Sequence, residues 1–227
     1  MKIGILQTGL PPEDLKKDFG SYPGMFETLL AGRGFDFQNW SVVEGDFPAG
    51  PDDADGWLIT GSRHGAYEDH PWIPPLEDLI RAIVAADKPL VGVCFGHQII
   101  AQALGGTVEK FKGGWSVGPT TYAFPDGPKT IQAWHQDQVT VAPEGAETVA
   151  SSDFCKHAAL LYPGKAYTVQ PHPEYGDGFI EGLIETRGKG VVPDPLLAQA
   201  RARMGTPLDR GALADQFARF FQTRSLS

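Results

Sequence analysis

PLVGVCFGHQII, residues 89–100, joins a short apolar run to a sequence with helical spacing. The run Leu90–Val93 is typical of a strand that is buried on both faces of a parallel sheet. Ile99 and Ile100 begin the apolar face of the helix that follows. A cysteine between two glycines stands at the junction, so the stretch predicts a strand, a sharp turn and a helix.

The same alternation of strand and helix patterns extends toward the N-terminus. Apolar runs at residues 2–6, 35–43 and 57–60 predict strands, and residues 22–31 and 76–86 predict helices. Alternating strands and helices favour a mostly parallel sheet that is covered by helices on both faces. The fold class is therefore α/β, in three α/β/α layers.

Downstream of residue 107 the pattern changes to short β-like runs that Gly, Pro and Asp separate. The runs at residues 115–124, 130–133, 139–141, 158–162 and 166–170 predict extra hairpins or mixed strands at one side of the sheet. Helices return at residues 178–186 and in an apolar stripe that contains Leu213, Phe217, Phe220 and Phe221. Without a repeat or a linker, we expect residues 1–227 to form one domain, with the helical part from about residue 189 packed on it.

Charge and composition exclude several classes of protein. The 227 residues carry a formal net charge of −9 at pH 7, and 41% of them are hydrophobic. This composition is typical of a globular protein and unlike a nucleic-acid binder, because phosphate backbones require clustered Lys and Arg. The first residues fit neither a signal peptide nor a membrane span. With only two cysteines, Cys94 and Cys155, we expect a cytoplasmic protein with reduced thiols and without nucleic-acid or membrane partners.

Cys94 stands in the pattern G-x-C-x-G with Gly92 and Gly96, the cysteine version of a nucleophile elbow. Small flanking residues let the strand and helix backbones approach closely in such a turn. At a helix N-terminus the sulfur lies near unpaired N–H groups and the positive end of the helix dipole, which favours the reactive thiolate. The pattern predicts a nucleophile at Cys94 and a structural role for Cys155, which lacks these neighbours.

A nucleophilic thiol needs a base and a group that orients the base. His172 and Glu174 flank Pro173, and a residue before proline is extended. In an extended chain, residues two apart face the same side, so the imidazole and the carboxylate are expected to lie together. Cys94, His172 and Glu174 then form a catalytic triad.

The same turn offers part of an oxyanion hole. The backbone N–H of Phe95 follows the nucleophile directly and is expected to donate to a tetrahedral intermediate. A second donor is expected from the amide of Gly61 or Ser62, because these residues follow a neighbouring strand and glycine permits a close approach of the backbone.

These motifs resemble those of class I glutamine amidotransferases, a family with a Cys-His-Glu triad on a flavodoxin-like fold. The likeness runs from about residue 56 to residue 175 and is carried by GVCFGHQ at 92–98, ITGS at 59–62, QPHPE at 170–174 and WHQDQV at 134–139. The resemblance implies attack of a thiolate on the γ-carbonyl of glutamine, release of ammonia, and hydrolysis of a γ-glutamyl thioester. It implies neither a cofactor nor a metal.

The resemblance also implies residue roles. Cys94 would be the nucleophile, His172 the base and acid, and Glu174 the group that orients it. Contacts with the small-molecule substrate are implied for Gln98, His135, Gln136 and Asp137, the last three in the segment that holds the α-amino and carboxylate groups of glutamine.

The sequence departs from the resemblance in ways that leave alternatives open. It lacks the S-G-G-x-D-S signature and the phosphate loop of a synthase domain, so any ammonia acceptor belongs to a separate synthase subunit. Residues 61–69 and 112–118 are similar to a stand-alone subgroup that includes γ-glutamyl peptidases acting on glutathione-like compounds. Three hypotheses remain: a glutamine amidotransferase or glutaminase, a γ-glutamyl peptidase, and a catalytically silent regulatory domain.

One loop carries several histidines and charged residues. His64, Asp69 and His70 are close in sequence, but their spacing fits no zinc motif, and no metal site is expected. The loop is expected to lie at the mouth of the site, where Arg63 and Glu68 contact the charged end of the substrate.

Overall fold

The computed structural model describes residues 1–226. The strands within that range are β1 (Lys2–Leu6), β2 (Asp36–Trp40), β3 (Gly56–Ile59), β4 (Leu90–Val93), β5 (Thr107–Lys110), β6 (Ser116–Phe124), β7 (Gly127–His135), β8 (Asp137–Val141), β9 (Glu147–Ala150), β10 (Ala159–Tyr162) and β11 (Ala166–Val169). The α-helices are α1 (Glu13–Phe19), α2 (Tyr22–Leu29), α3 (Ile73–Ala85), α4 (Phe95–Ala103), α5 (Asp177–Leu183), α6 (Asp194–Ala202) and α7 (Arg210–Thr223).

Seven strands form the central sheet in the order β2-β1-β3-β4-β11-β10-β9. The first five are parallel, and β10 and β9 extend the sheet in antiparallel fashion. The parallel part has the strand order of a flavodoxin-like fold. Because ligands of such folds bind at the carboxyl ends of the parallel strands, the residues that follow β3, β4 and β11 meet at one edge.

Alternate residues of the central strands pack on opposite layers of helices. Trp57 and Ile59 of β3 pack in a core cluster with α3 and α4, while Leu58 packs in a second cluster with α2 and α7. Four apolar residues of α7 that the sequence singled out, Leu213, Phe217, Phe220 and Phe221, lie in this second cluster. The three-layer α/β/α fold class predicted from the sequence is confirmed.

The β-rich middle of the chain is divided between three sheets. β6 and β7 form a long antiparallel hairpin, and β5 pairs with β8 in another two-stranded sheet. The prediction of extra hairpins is therefore correct, but β9 and β10 are strands of the central sheet. β5 and β9 were missed because each has four residues, most of them exposed or partly exposed.

Two predicted boundaries were wrong. The strand expected at residues 35–43 ends at Trp40, and Val42–Glu44 forms a 3-10 turn that closes on Gly45 in the left-handed conformation, with φ 86°. The helix expected at residues 178–186 is α5 followed by a π-helical turn, Ile184–Gly188.

α1 was missed because Leu15 is its only buried residue. Within residues 1–226, no helix combines the length and the apolar character needed to cross a membrane.

Candidate active site

Cys94 occupies a strained turn between β4 and α4. Its backbone has φ 53° and ψ −104°, a conformation that residues other than glycine rarely adopt, and it is the N-cap of α4. Its amide donates to the carbonyl of Val169 in β11 at 2.9 Å, which fixes the turn to the sheet. Strain of this kind is retained where the surrounding structure imposes it, commonly at active sites.

The two glycines of the pattern leave the room that this turn needs. A Cβ at Gly92 would lie 2.6 Å from the backbone carbonyl of Gly96, and a Cβ at Gly96 would lie 2.3 Å from the carbonyl oxygen of Ile59. Both distances are shorter than any tolerated contact. The elbow thus packs α4 directly against β3 and β4, as the sequence predicted.

His172 and Glu174 lie together beyond the end of β11. The Nδ1 atom of His172 is 2.7 Å from Oε1 of Glu174, and both side chains are almost fully buried. The ring of Tyr175 stacks on the imidazole with centroids 4.1 Å apart. These contacts fix the plane of the imidazole.

The imidazole also interacts with Cys94. Burial alone would lower the pKa of His172, but the negative charges of Glu174 and the Cys94 sulfur, with hydrogen bonds to both, raise it to about 10. A protonated His172 is thereby favoured beside the Cys94 sulfur. The structure brings Cys94, His172 and Glu174 into one chain of interactions.

Residues distant in sequence anchor this segment. The amide of His172 donates to the carbonyl of Gln132 in β7 at 2.8 Å. The guanidinium of Arg210 at the start of α7 donates to the carbonyls of Pro173 and Glu174 at 2.7 and 2.9 Å. Neither anchor has a local sequence signal, so sequence reasoning missed both.

Three predicted oxyanion donors surround Cys94. A Cβ placed on Gly61 would lie 2.9 Å from Cε1 of His172 and 3.7 Å from Cβ of Cys94, so this backbone passes close to both side chains. Within residues 1–226, the amides of Gly61, Ser62 and Phe95 donate to no acceptor. The hydroxyl of Thr8 donates to the carbonyls that flank this stretch, at 2.9 Å for Thr60 and 3.2 Å for Gly61. The loop is therefore held in place while its amides remain free.

A cavity of about 510 Å³ opens over the thiol. It is lined by Cys94 and His172 together with the four predicted substrate contacts, Gln98, His135, Gln136 and Asp137. Its volume lies in the range of pockets that hold metabolites and drug-sized ligands. All the side chains that the sequence singled out as catalytic or substrate-binding therefore meet here, except Glu174, which lies behind His172.

Gln98 joins the elbow helix to the far wall. Its side-chain amide donates to the carbonyl of Asp137 at 2.9 Å and to the side chain of Gln170 at 3.1 Å.

His135 is buried, and burial is the main cause that lowers its pKa to about 3. His97 points away from the cavity and contacts the hydroxyl of Thr168 at 2.8 Å.

The loop at residues 61–70 forms part of the cavity wall. Arg63, His64 and Glu68 line the cavity, as expected for residues at its mouth. The hydroxyl of Tyr67 donates to the carboxylate of Asp137 at 3.0 Å, which ties this loop to the opposite wall.

Several further lining residues had no role assigned from the sequence, although Trp115 lies in the 112–118 stretch and Trp134 in the 134–139 motif. Trp115 and Trp134 place two indole rings with centroids 6.3 Å apart on one side. Lys110, Arg187 and Lys189 add positive charges. These residues come from separate elements, and only the fold brings them together.

The arrangement suits nucleophilic attack on a carbonyl. It combines a thiol on a strained backbone, an imidazole that retains a proton beside it, and nearby backbone amides that donate to no acceptor within residues 1–226.

Comparison with known proteins agrees with this chemistry. The sequence profile of the family described as "Glutamine amidotransferase class-I" matches residues 47–179. Gamma-glutamyl peptidase 4 of Arabidopsis thaliana is 32% identical over 189 residues, which are 76% of this chain and 75% of that protein. One subunit of the glutamine-hydrolyzing GMP synthase of Methanosarcina barkeri is 42% identical over 106 residues, 43% of this chain and 54% of that protein.

A solved structure shows the same fold. The glutamine amidotransferase from Methylobacillus flagellatus superimposes with a TM-score of 0.77 at 23% identity, over 98% of this chain and 93% of that one. The family profile covers more than half of the chain and contains Cys94, His172 and Glu174. The chain therefore belongs to the class I glutamine amidotransferase family.

Proposed function

We propose that the protein hydrolyses the γ-glutamyl amide bond of glutamine through a thioester on Cys94. The observation that carries the proposal is the strained Cys94 itself, which interacts with the buried His172–Glu174 pair at the floor of a cavity. Family membership supports the same reaction.

The reaction follows from the positions of these groups. The Cys94 thiolate attacks the γ-carbonyl carbon, and the amides of Phe95 and of Gly61 or Ser62 stabilise the resulting oxyanion. The carbon–nitrogen bond then breaks, and protonated His172 gives its proton to the departing ammonia. Neutral His172 next takes a proton from water, which attacks the thioester, and the sulfur departs as thiolate with release of glutamate.

Charged and polar groups on the walls fit the other end of glutamine. The Asp137 carboxylate is suited to the α-ammonium group, and Tyr67 orients it. Arg63 is exposed at the mouth, where it is suited to the α-carboxylate. Gln98, His135 and Gln136 complete this wall.

A second candidate function is hydrolysis of γ-glutamyl peptides. The cavity is larger than glutamine requires, and Lys110 and Arg187 line it beside two indole rings, together with Lys189, which is paired with Glu185. Positive charges on the wall of an acidic protein favour a leaving amine that carries a carboxylate, as the dipeptide part of a γ-glutamyl tripeptide does. The similarity to gamma-glutamyl peptidase 4 supports this candidate.

The two candidates imply different partners. If the ammonia from glutamine is used in a synthase reaction, a separate protein must consume it. The similarity to a GMP synthase component supports such a partner. A γ-glutamyl peptidase requires no partner.

The experiment is a comparison of two substrates with the purified chain. Ammonia is measured after incubation with glutamine, and the free dipeptide after incubation with γ-glutamyl-cysteinyl-glycine. Cys94→Ala is the inactive reference, and Cys155→Ala is the matched control, because Cys155 is buried away from the cavity.

Each outcome selects one hypothesis. Ammonia above the Cys94→Ala level supports the amidotransferase proposal, and dipeptide release without ammonia supports the peptidase. If neither product exceeds the Cys94→Ala level, both proposals are wrong.

A further inference from the structure

A cluster of two imidazoles and one carboxylate lies in the loop at the mouth of the cavity. Nδ1 of His64 is 3.4 Å from Oε2 of Glu68, and Nε2 of His70 is 2.7 Å from the same oxygen. One ligand atom from each of the three residues lies within 4.8 Å of the other two. Glu68, and not the neighbouring Asp69, is the acidic member of the group.

These distances suit a small divalent cation. Ligand atoms that each bind zinc at about 2.0–2.1 Å in tetrahedral geometry lie about 3.4 Å apart. The His64–Glu68 pair already has that separation, and a movement of the Glu68 side chain away from His70 achieves it for the second pair. The two imidazole nitrogens lie within 4.8 Å of each other, and a small rotation of the rings closes the third side. Glu68 is an exposed side chain on a loop, which leaves it room for this movement.

The ligands also have suitable chemistry. Two imidazoles and one carboxylate form a set that binds zinc and leaves a fourth position open. The ring of His70 stacks on Trp72 at 5.8 Å, which holds one ligand in a fixed orientation.

We propose that His64, Glu68 and His70 bind a divalent transition-metal ion of the zinc class at the mouth of the cavity. The spacing of these residues in the sequence matches no zinc motif, and only the fold of the loop brings their ligand atoms together.

The site is connected to the candidate oxyanion loop. The amide of His64 donates to the hydroxyl of Ser62 at 3.1 Å, and His64 and Glu68 both line the cavity. A bound ion would fix residues 62–70 as one unit and place a positive charge at the entrance. The metal would therefore affect how substrate enters, without being a reactant at Cys94.

Zinc binding to the Cys94→Ala variant tests the proposal, because this variant lacks the cavity thiol, which is itself a group that binds zinc. The protein is treated with a chelator, dialysed and titrated with zinc chloride in a calorimeter. His64→Ala and His70→Ala are introduced separately in this background, and Asp69→Asn is the matched control. Thermal unfolding with and without zinc is recorded for each variant.

We expect one zinc ion per chain in Cys94→Ala and in its Asp69→Asn derivative, with a higher melting temperature in zinc. Each histidine variant should bind zinc at least about tenfold more weakly and lose the thermal shift. Absence of binding in Cys94→Ala, or binding that both histidine variants retain, would overturn the proposal. Since no substrate is involved, the result does not depend on the proposed function.

Discussion

His172 and Glu174 form a buried pair with 2.7 Å between Nδ1 and Oε1, although Pro173 separates them in the chain. Pro173 keeps the preceding residue extended, and Arg210 holds the carbonyls of Pro173 and Glu174 from a distant helix. The local effect of Pro173 and the long-range contact of Arg210 therefore both act on residues 172–174.

Glu174→Gln is expected to lower activity by weakening the base. The amide removes the negative charge that raises the pKa of His172, while the burial that lowers this pKa remains. We expect kcat/KM at pH 8 to fall by about 10²- to 10⁴-fold. The alkaline limb of the pH profile, set by loss of the His172 proton near pH 10 in the native protein, should move to lower pH.

Steady-state rates from pH 6 to 10 measure both effects. Glu144→Gln is the control, because Glu144 is exposed. An unchanged alkaline limb would contradict this account.

The same pair predicts how stability depends on pH. The pKa of His172 is about 10 in the folded protein against an ordinary value of 6.5, so its ion pair stabilises the fold fully below about pH 6.5. This contribution declines as the pH rises through 10. Urea unfolding at pH 7 and pH 10 should show a larger loss of unfolding free energy in the native protein than in Glu174→Gln. Equal losses would show that His172 gains no proton on folding.

The two thiols should differ in reactivity. Burial raises the pKa of Cys155 to about 12, and only 1% of that residue is exposed, whereas Cys94 faces the cavity. Iodoacetamide at pH 7.5 should label Cys94 at least tenfold faster, because only the thiolate reacts. Mass spectrometry of the peptides gives both rates. Equal labelling in the folded protein would weaken the assignment of Cys94 as nucleophile.

The sequence predicted the parts of the site that adjacent residues determine. The apolar run before Cys94 and the glycines beside it act within a few residues, so their effect can be derived without a fold. The predicted parallel strands were correct for the same reason, since a continuous apolar run requires burial on both faces. His172 and Glu174 lie together as expected, but the reason was wrong, because residues 173–174 form a turn in which the amide of Tyr175 donates to the carbonyl of His172 at 3.3 Å, and not an extended chain.

Features that depend on contacts distant in sequence could not be predicted. Arg210 and Gln132 anchor the histidine segment from elements 36 or more residues away. Lys110 and Lys189 line the cavity from separate elements, and nothing near them in the sequence marks that role. Trp115 lies in the 112–118 stretch that carried a family likeness, but the sequence assigned it no role in the cavity. The C-terminal region, for which the sequence predicted only packing, supplies part of both the cavity and its supports.

Gly96→Ala is expected to disrupt the elbow. The new Cβ would lie 2.3 Å from the carbonyl oxygen of Ile59, and because this atom belongs to a central strand, it cannot move aside easily. Overpacking at such a site costs about 1–3 kcal/mol or more. Urea unfolding should show this loss. The control is Gly211→Ala, the second residue of α7, where a Cβ meets no atom within 4 Å. It should leave the unfolding free energy unchanged or raise it by up to about 1 kcal/mol.

Gln98→Met tests the connection between the elbow helix and the substrate wall. The substitution removes the donor to the carbonyl of Asp137 and to Gln170 while keeping the length of the side chain. Because residues 135–137 are proposed to hold the substrate rather than to react, KM should rise about tenfold while kcat changes much less. Gln216→Met is the control. Gln216 lies on α7, away from the cavity, and its side chain accepts a hydrogen bond from the hydroxyl of Tyr167, which the substitution removes. A fall in kcat with constant KM would assign Gln98 to the chemical step.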